Sequence, residues 1–323
     1  MDASLVEWLL VALAIAFAWS IGAHYTGACM GMPYAAGAIR IDRALWLMAP
    51  LALVGALVAS GRVEATVGHG ILGGGPIGIP TAVVILAVAF SLTAAYNFAA
   101  LPTSTIQLFT FSVVGVGLAL GTPVHWSTIE VLLAVWAAAP FAAFGLGFLF
   151  VRIFDRGPAT RTAPARWTGA IAVTLVAVGA AASFAMGAND VSNASGPLVM
   201  TGLFGLAVAG LIGGIGLALG VVTWGRPLLR RVAFDIVKLD PKMAIGAQLA
   251  QATVILVSVA FGQFTSMNQA LVGGMLGAGL ARGRRLVEWR TVRGILVGWA
   301  LGPLSGGTLG FVVATSLHHV GWL

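Results

Sequence analysis

Charge is scarce in this chain. Asp, Glu, Lys and Arg make up 8% of its 323 residues, against about 25% in an ordinary soluble domain. Too few polar side chains remain to cover a water-facing surface, and no stretch has the composition of a soluble domain. There is one cysteine, Cys29, which excludes an intrachain disulfide and any cysteine-cluster metal site. Enzyme motifs are missing too: no HExxH, no glycine-rich nucleotide loop with its lysine, no paired acids within an apolar segment, and no histidine next to Ser192. A lone acid cannot run an aspartyl dyad. The chain is therefore expected not to be an enzyme and to need no organic cofactor.

What is there points to lipid. Hydrophobic residues make up 59% of the chain, and the 44 glycines suit helices whose backbones approach closely where van der Waals contact replaces the hydrophobic drive. The expected fold is an all-α polytopic membrane protein. A crossing needs about 20 apolar residues, and apolar runs mark segments near 5–39 (interrupted), 44–60, 79–100, 101–120, 128–151, 168–200 (interrupted), 203–222, 243–262, 263–281 and 292–316. That is two groups of five.

The two groups match in detail. Ile21-Gly-Ala-His24 aligns with Met186-Gly-Ala-Asn189 at an offset of 165; Thr103-Ser104-x-x-Gln107 aligns with Thr265-Ser266-x-x-Gln269 at 162; Pro140 and Gly147-Phe148 align with Pro303 and Gly310-Phe311 at 163. Loop charge reverses between them. Arg40, Arg43 and the run Arg152, Arg156, Arg161 and Arg166 are basic in the first half. In the second, Arg226, Arg230, Arg231, Lys238 and Lys242, then Arg282, Arg284, Arg285, Arg290 and Arg293, fill loops whose counterparts carry little positive charge. An odd number of crossings per half would invert the second repeat, and the positive-inside rule then places both termini outside. The expected organisation is a first inverted repeat over 1–151, a basic cytoplasmic linker over 152–167 and a second inverted repeat over 168–323. Its interrupted helices and helical hairpins would meet at the midplane of a plasma or inner membrane. The net charge of +7 is thus a topology signal, and nucleic acid is not an expected partner.

The most polar stretch is Met186–Pro197, MGANDVSNASGP. An ionisable group at membrane depth costs at least roughly 2.5 to 3.5 kcal/mol and marks ion or substrate handling. Gly187, Gly196 and Pro197 suggest a broken helix, which is tolerated only where it lines a cavity or is buried in protein. Hydroxyls, amides and glycine-freed N–H groups, without a buried Lys or Arg, suit a small tetrahedral oxyanion at half-helix N-termini. The candidate anion-binding residues are Thr103, Ser104, Thr105, Thr265, Ser266, Gly22, Ala23, Gly187, Ala188, Asn189 and Ser192. Asp190 would repel an anion directly and is better suited to a coupling cation or proton, with Asn193 and His24 beside it; Asp190 and Asn193 are the candidate Na+ ligands. Plainer roles compete. Thr103, Ser104 and Thr105 follow Pro102 and suit helix caps, His24 suits a hydrogen-bonded core position, and Gln107, Asn268 and Gln269 suit interhelical hydrogen bonds worth about 0.6 kcal/mol each.

GANDVSNASGP closely resembles the GANDVxNA signature of the PiT family of inorganic phosphate transporters. LPTST, TSMNQALVGGMLGAGLA and GPLSGGTLGF resemble that family's hairpin motifs and final helix, and the resemblance spans nearly the whole chain. It implies two signature loops and two hairpins converging on the anion and on sodium or proton sites, and a homodimer. Asn189, Asp190 and Asn193 fall in the signature loop; Thr103, Ser104, Thr105, Thr265 and Ser266 fall in the hairpins. The first half departs from the pattern. GAHYTGACMG stands where a second signature would be, with Tyr25 in place of the acid and Ala28 in place of the second asparagine. The pattern is similar to the family's sulfate permease branch. The resemblance implies a secondary transporter importing sulfate with protons or sodium; phosphate is the alternative, and an anion channel is the alternative of another class.

Overall fold

Long apolar runs without alternation form helices in lipid, because a helix satisfies each backbone N–H and C=O within its own segment. The computed structural model describes residues 3–99, 103–156, 165–232, 240–283 and 289–323. In chain order the helices are α1 (Ala3–His24), α2 (Thr26–Ala35), α3 (Ile41–Val58), α4 (Gly61–Gly70), α5 (Ile79–Ala99) and α6 (Thr105–Ala119), followed by α7 (Trp126–Arg156), α8 (Ala165–Met200), α9 (Leu206–Val232), α10 (Pro241–Ala260), α11 (Met267–Arg282) and α12 (Trp289–His319). Among the described residues, eight spans are long and apolar enough to cross a membrane, with α1 and α2 counted together over Ser4–Ala35. The expected all-helical, many-span architecture is what the chain adopts. The basic residues Arg161, Lys238, Arg284 and Arg285 lie outside the described residues.

Two of the ten expected segments are short. Helices α6 and α11 have 15 and 16 residues, roughly 23 Å of helix against a hydrocarbon core of about 30 Å. They are the return arms of two hairpins, α5–α6 and α10–α11. The base of the first is tied by Gly73 N donating to Pro123 O (2.8 Å) and His125 N to Ile71 O (2.9 Å), and it meets the end of α8 where Ile77 N donates to Met200 O (2.9 Å). The base of the second is tied by Arg282, which bonds Asp240 (2.7 Å) and, through both sides of its fork, Asp155 (2.7 and 2.6 Å) at the end of α7. Helix α8 has 36 residues, about 54 Å, and starts nine residues after Arg156. The second hairpin's tip meets α8 at Asn189, and nearer its base Gln248 meets Cys29, which bonds Ala182 O, so one hairpin base sits at the far end of α8 and the other toward its start.

The expected break at Met186–Pro197 is not there. Helix α8 runs unbroken through the whole stretch, with Pro197 in its last turn. Its glycines serve packing: a Cβ on Gly187 would lie 1.9 Å from Ala52 O, and one on Gly196 would lie 2.2 Å from Val67 Cγ1. The interruption in the first half is confined to Tyr25, between α1 and α2, and Tyr25 N still donates to Ile21 O at 3.2 Å.

Close contacts recur in matched pairs. A Cβ on Gly22 would meet Leu217 O, and one on Gly187 would meet Ala52 O; likewise Gly55 faces Phe184 O and Gly220 faces Trp19 O. Each pair becomes its partner pair under the same offset of 165. Helix α1 therefore packs on α9 as α8 packs on α3. This reciprocity is what a two-fold relation between the halves requires.

Candidate substrate and coupling-ion site

The polar residues converge where α1 ends, α8 passes and both hairpins turn. Each hairpin's return helix starts with a serine cap: Gln107 N donates to Ser104 Oγ and Gln269 N to Ser266 Oγ, both at 3.3 Å. The capping role expected from the Pro-Thr-Ser-Thr order is therefore real, and each serine keeps its own proton to donate. Thr103 and Thr265, one residue earlier in each hairpin, are buried with hydroxyls that have no partner.

Helix α8 grips the second tip from the side. Asn189 Nδ2 donates to Thr265 O (2.8 Å) and to Asp190 Oδ2 (3.0 Å), while Asn189 Oδ1 accepts from Thr265 N (3.0 Å). At the matching place in the first half stands His24. Its Nε2 lies 3.3 Å from Thr103 O and 3.2 Å from Asn268 Nδ2, and its Nδ1 meets Asn97 Oδ1. Tyr25, where the resemblance expects an acid, shares a 2.8 Å hydrogen bond with Thr105 Oγ1. Asn268 Nδ2 crosses from the second hairpin to Thr103 O (3.1 Å), and Gln107 and Gln269 exchange amide hydrogen bonds at 3.4 and 3.2 Å. The two tips are thus joined directly.

A buried polar atom without a partner costs about 1–3 kcal/mol, so natural structures hold few of them. Here Thr103 Oγ1, Thr265 Oγ1, Asp190 Oδ1 and both polar atoms of Asn193 are in that condition at one junction. The set divides by chemistry. Hydroxyls donate to an oxyanion, whereas Asp190 Oδ1 and Asn193 Oδ1 are hard oxygen acceptors of the kind a small cation prefers. No Lys or Arg is buried among the described residues, so an anion held here is held by neutral donors.

Several expected residues sit differently. Gly22, Ala23, Gly187 and Ala188 are inside α1 and α8, where their N–H groups serve the helix. The free backbone donors expected from a broken helix are therefore missing at these four positions. Ser192 Oγ turns back to Asn189 O at 3.0 Å. One buried acid is not among the residues singled out from the sequence: Glu64 lies in α4 with Ser195 Oγ donating to its Oε1 at 2.6 Å. Only Gly210 leaves room for it, since a Cβ there would lie 2.9 Å from that oxygen. Beside the Gln107–Gln269 pair is a cavity of about 510 Å³, walled by Trp136, Pro140, Phe144 and other apolar groups; its walls do not suit an anion.

A family profile described as the phosphate transporter family matches residues 21–172 and again residues 157–310. The chain belongs to this family. Among relatives it is 27% identical to the sulfate permease CysP of Bacillus subtilis over 313 residues, covering 96% of this chain and 88% of that protein. It is 34% identical to the sodium-dependent phosphate transporter 1-B of Danio rerio over 136 residues, 38% of this chain and 20% of that one. A solved structure titled the sodium-dependent phosphate transporter superposes with a TM-score of 0.88 at 20% identity, covering 98% of this chain and all of that one. Family and fold are those of membrane transporters.

Proposed function

We propose that the chain is a secondary transporter that imports an inorganic tetrahedral oxyanion, sulfate, coupled to protons or sodium by alternating access. The observation that carries this is the cluster of buried, unpartnered groups at the hairpin tips: Thr103, Thr265, Asp190 and Asn193. Thr103, Thr105 and Thr265, with Ser104 and Ser266, face the anion with hydroxyls, and Asn189 sets the second tip. Asp190 and Asn193 take the coupling cation, Na+ or a proton, which allows an anion to enter against an inside-negative potential worth about 2.3 kcal/mol per charge per 100 mV.

Sulfate is favoured because the first half holds Tyr25 where a second carboxylate would stand, leaving a single acid among the hairpin tips. An acceptor facing the anion suits protonated phosphate better than sulfate, which stays fully ionised. The name of the Bacillus relative, a sulfate permease aligned over 96% of this chain, leans the same way. Phosphate is the second reading, supported by the family description and the Danio relative's name.

The matched Gly22–Leu217 and Gly187–Ala52 contacts, and hairpin bases toward opposite ends of α8, support two inverted-topology repeats. We place them at 1–151 and 168–323 with the basic 152–167 linker in the cytoplasm and both termini outside the cell membrane. The assembly we favour is a homodimer. Uptake of radiolabelled sulfate into proteoliposomes under an imposed pH gradient, with and without sodium and with phosphate as competitor, tests the reading. Accumulation of sulfate resistant to phosphate supports it; sodium-dependent phosphate uptake replaces sulfate with phosphate; saturation-free flux without accumulation makes it a channel.

A further inference from the structure

The hydrogen bonds around His24 fix the position of its proton. Asn97 Nδ2 donates to Ser20 O at 3.0 Å, so the atom that Asn97 turns to the imidazole is its Oδ1, which only accepts. His24 Nδ1 must therefore carry a hydrogen. In the neutral ring Nε2 is then a bare acceptor, and the one donor before it is Asn268 Nδ2, whose two hydrogens serve Nε2 (3.2 Å) and Thr103 O (3.1 Å). Every hydrogen is placed.

Protonation cannot leave this arrangement intact. A hydrogen on Nε2 faces the hydrogens of Asn268 Nδ2, while Thr103 O at 3.3 Å is an acceptor ready to take it. Turning the Asn268 amide over does not help, since its Oδ1 would then oppose Thr103 O. Either way, Asn268 keeps only one of its two hydrogen bonds to the first half: the one to Thr103 O when Nε2–H turns to that carbonyl, or the one to His24 when the amide turns over. We propose that His24 is a proton-binding group read by Asn268, so that binding a proton at Nε2 loosens the second hairpin's tip from the first half. Asn97 and Asn268 are the positioning residues: one sets which nitrogen is bare, the other senses whether it stays bare. Besides the Asn268–Thr103 bond, the tips are joined by the two Gln107–Gln269 bonds.

Asymmetry between the halves supports the assignment. The position matching His24 is Asn189, an amide that bonds Thr265 through both its edges and has nothing to titrate. The position matching Asn268 is Ile106 in the first hairpin, so Asn189 has no comparable reader. The titratable groups around His24 are few. Tyr25 packs edge-on at 4.9 Å between ring centroids, with Asp190 beyond it. Helices α5, α6 and α11 present the neutral Asn97, Thr105 and Asn268, and α9 directs Arg226 to Asp42.

The proposal uses the transporter reading only for its consequence in transport; the exchange of hydrogen bonds needs no substrate. Nitrogen-15 spectra of histidine-labelled protein in lipid nanodiscs, with His24 assigned through His24→Asn, should show the neutral ring protonated at Nδ1; a neutral ring protonated at Nε2 overturns the proposal. Spin labels at F98C and F261C, both exposed, in a C29S background should report a tip separation that grows as pH falls from about 9 to about 4, without any oxyanion. His24→Asn should abolish that response. Asn97→Asp, which sets a carboxylate against Nδ1, should move its midpoint upward by about 1–3 pH units, a shift that a merely structural asparagine would not produce. A separation insensitive to pH, or a midpoint unmoved by Asn97→Asp, sinks the proposal. Failure of wild-type proteoliposomes to accumulate any oxyanion would instead remove the transporter reading and leave the pH-dependent separation standing.

Discussion

Asn189 holds Thr265 by both edges of its amide, accepting from the threonine N–H at 3.0 Å and donating to its C=O at 2.8 Å. A helix side chain is thereby used as a strand-like partner for a hairpin tip whose backbone has no other pairing at that residue. Replacing Asn189 with Leu keeps the branched four-atom side chain and leaves two buried backbone groups bare, at about 1–3 kcal/mol each. Thermal unfolding in detergent should shift down by several degrees, taking about 2–4 °C per kcal/mol for a chain of this size. Unchanged unfolding would mean that the tip does not depend on the asparagine.

The matched glycines make a separate prediction. Gly187→Ala and Gly22→Ala each drive a methyl into a backbone carbonyl, at 1.9 and 2.1 Å, and a carbonyl in a packed helix cannot move aside as a side-chain end can. Overpacking of this kind costs about 1–3 kcal/mol or more. Both variants should lose monodisperse protein in size-exclusion chromatography, while Gly145→Ala, with nothing within 4 Å, should match the wild type. Comparable losses at Gly22 and Gly187 are expected because the two contacts are related by the same offset.

Much of this site could be read from residue order, and the failures have physical causes. Pro102 with the hydroxyl run Thr103-Ser104-Thr105, repeated at Thr265-Ser266, signalled two helix starts, and the serines do cap them. The offset of 162 to 165 could be read where rare polar residues carry it, at His24 and Asn189 and at the two Thr-Ser-x-x-Gln runs. Helix interruption was not. Gly187, Gly196 and Pro197 look like breakers in a sequence, yet two of them are needed to let neighbouring helices or side chains come close, and the proline stands in the last turn, where its lost N–H bond and the crowding of the carbonyl four residues back leave little helix beyond them to disturb. The actual interruption, Tyr25, is neither glycine nor proline, so no breaker residue marks it; its hydroxyl is engaged by Thr105 of a distant helix. Glu64 was missed for a related reason: a charge in a short turn reads as solvated until Gly210 of a distant helix is seen to make space for it.

Thr103→Val and Thr265→Val remove the two unpartnered hydroxyls and keep shape. Since neither hydroxyl has a protein partner, stability should change by less than about 1 kcal/mol. If both donate to the anion, each variant should raise the apparent KM for uptake roughly five- to thirtyfold, the equivalent of about 1–2 kcal/mol per bond. The double variant should depart from additivity, because the two hydroxyls share one anion as partner. Normal uptake kinetics in both would move the anion away from the hairpin tips.

Asp190→Asn separates the roles of cation and anion. The substitution is isosteric, keeps an oxygen at the position of the unpartnered Oδ1, and can donate where Oδ2 now accepts from Asn189. Two amides then compete as donors at that contact, so a fall in stability of about 1 kcal/mol is expected, and the helix should survive. Coupled accumulation should disappear, because a neutral amide neither binds a proton nor offsets the charge of a bound cation in a site without other acids nearby. Exchange of labelled for unlabelled anion at equal concentrations on both sides requires no net coupling ion, and it should persist if the hydroxyls alone recognise the anion. Loss of exchange together with accumulation would show that the carboxylate, through its cation, is part of the anion's own binding site.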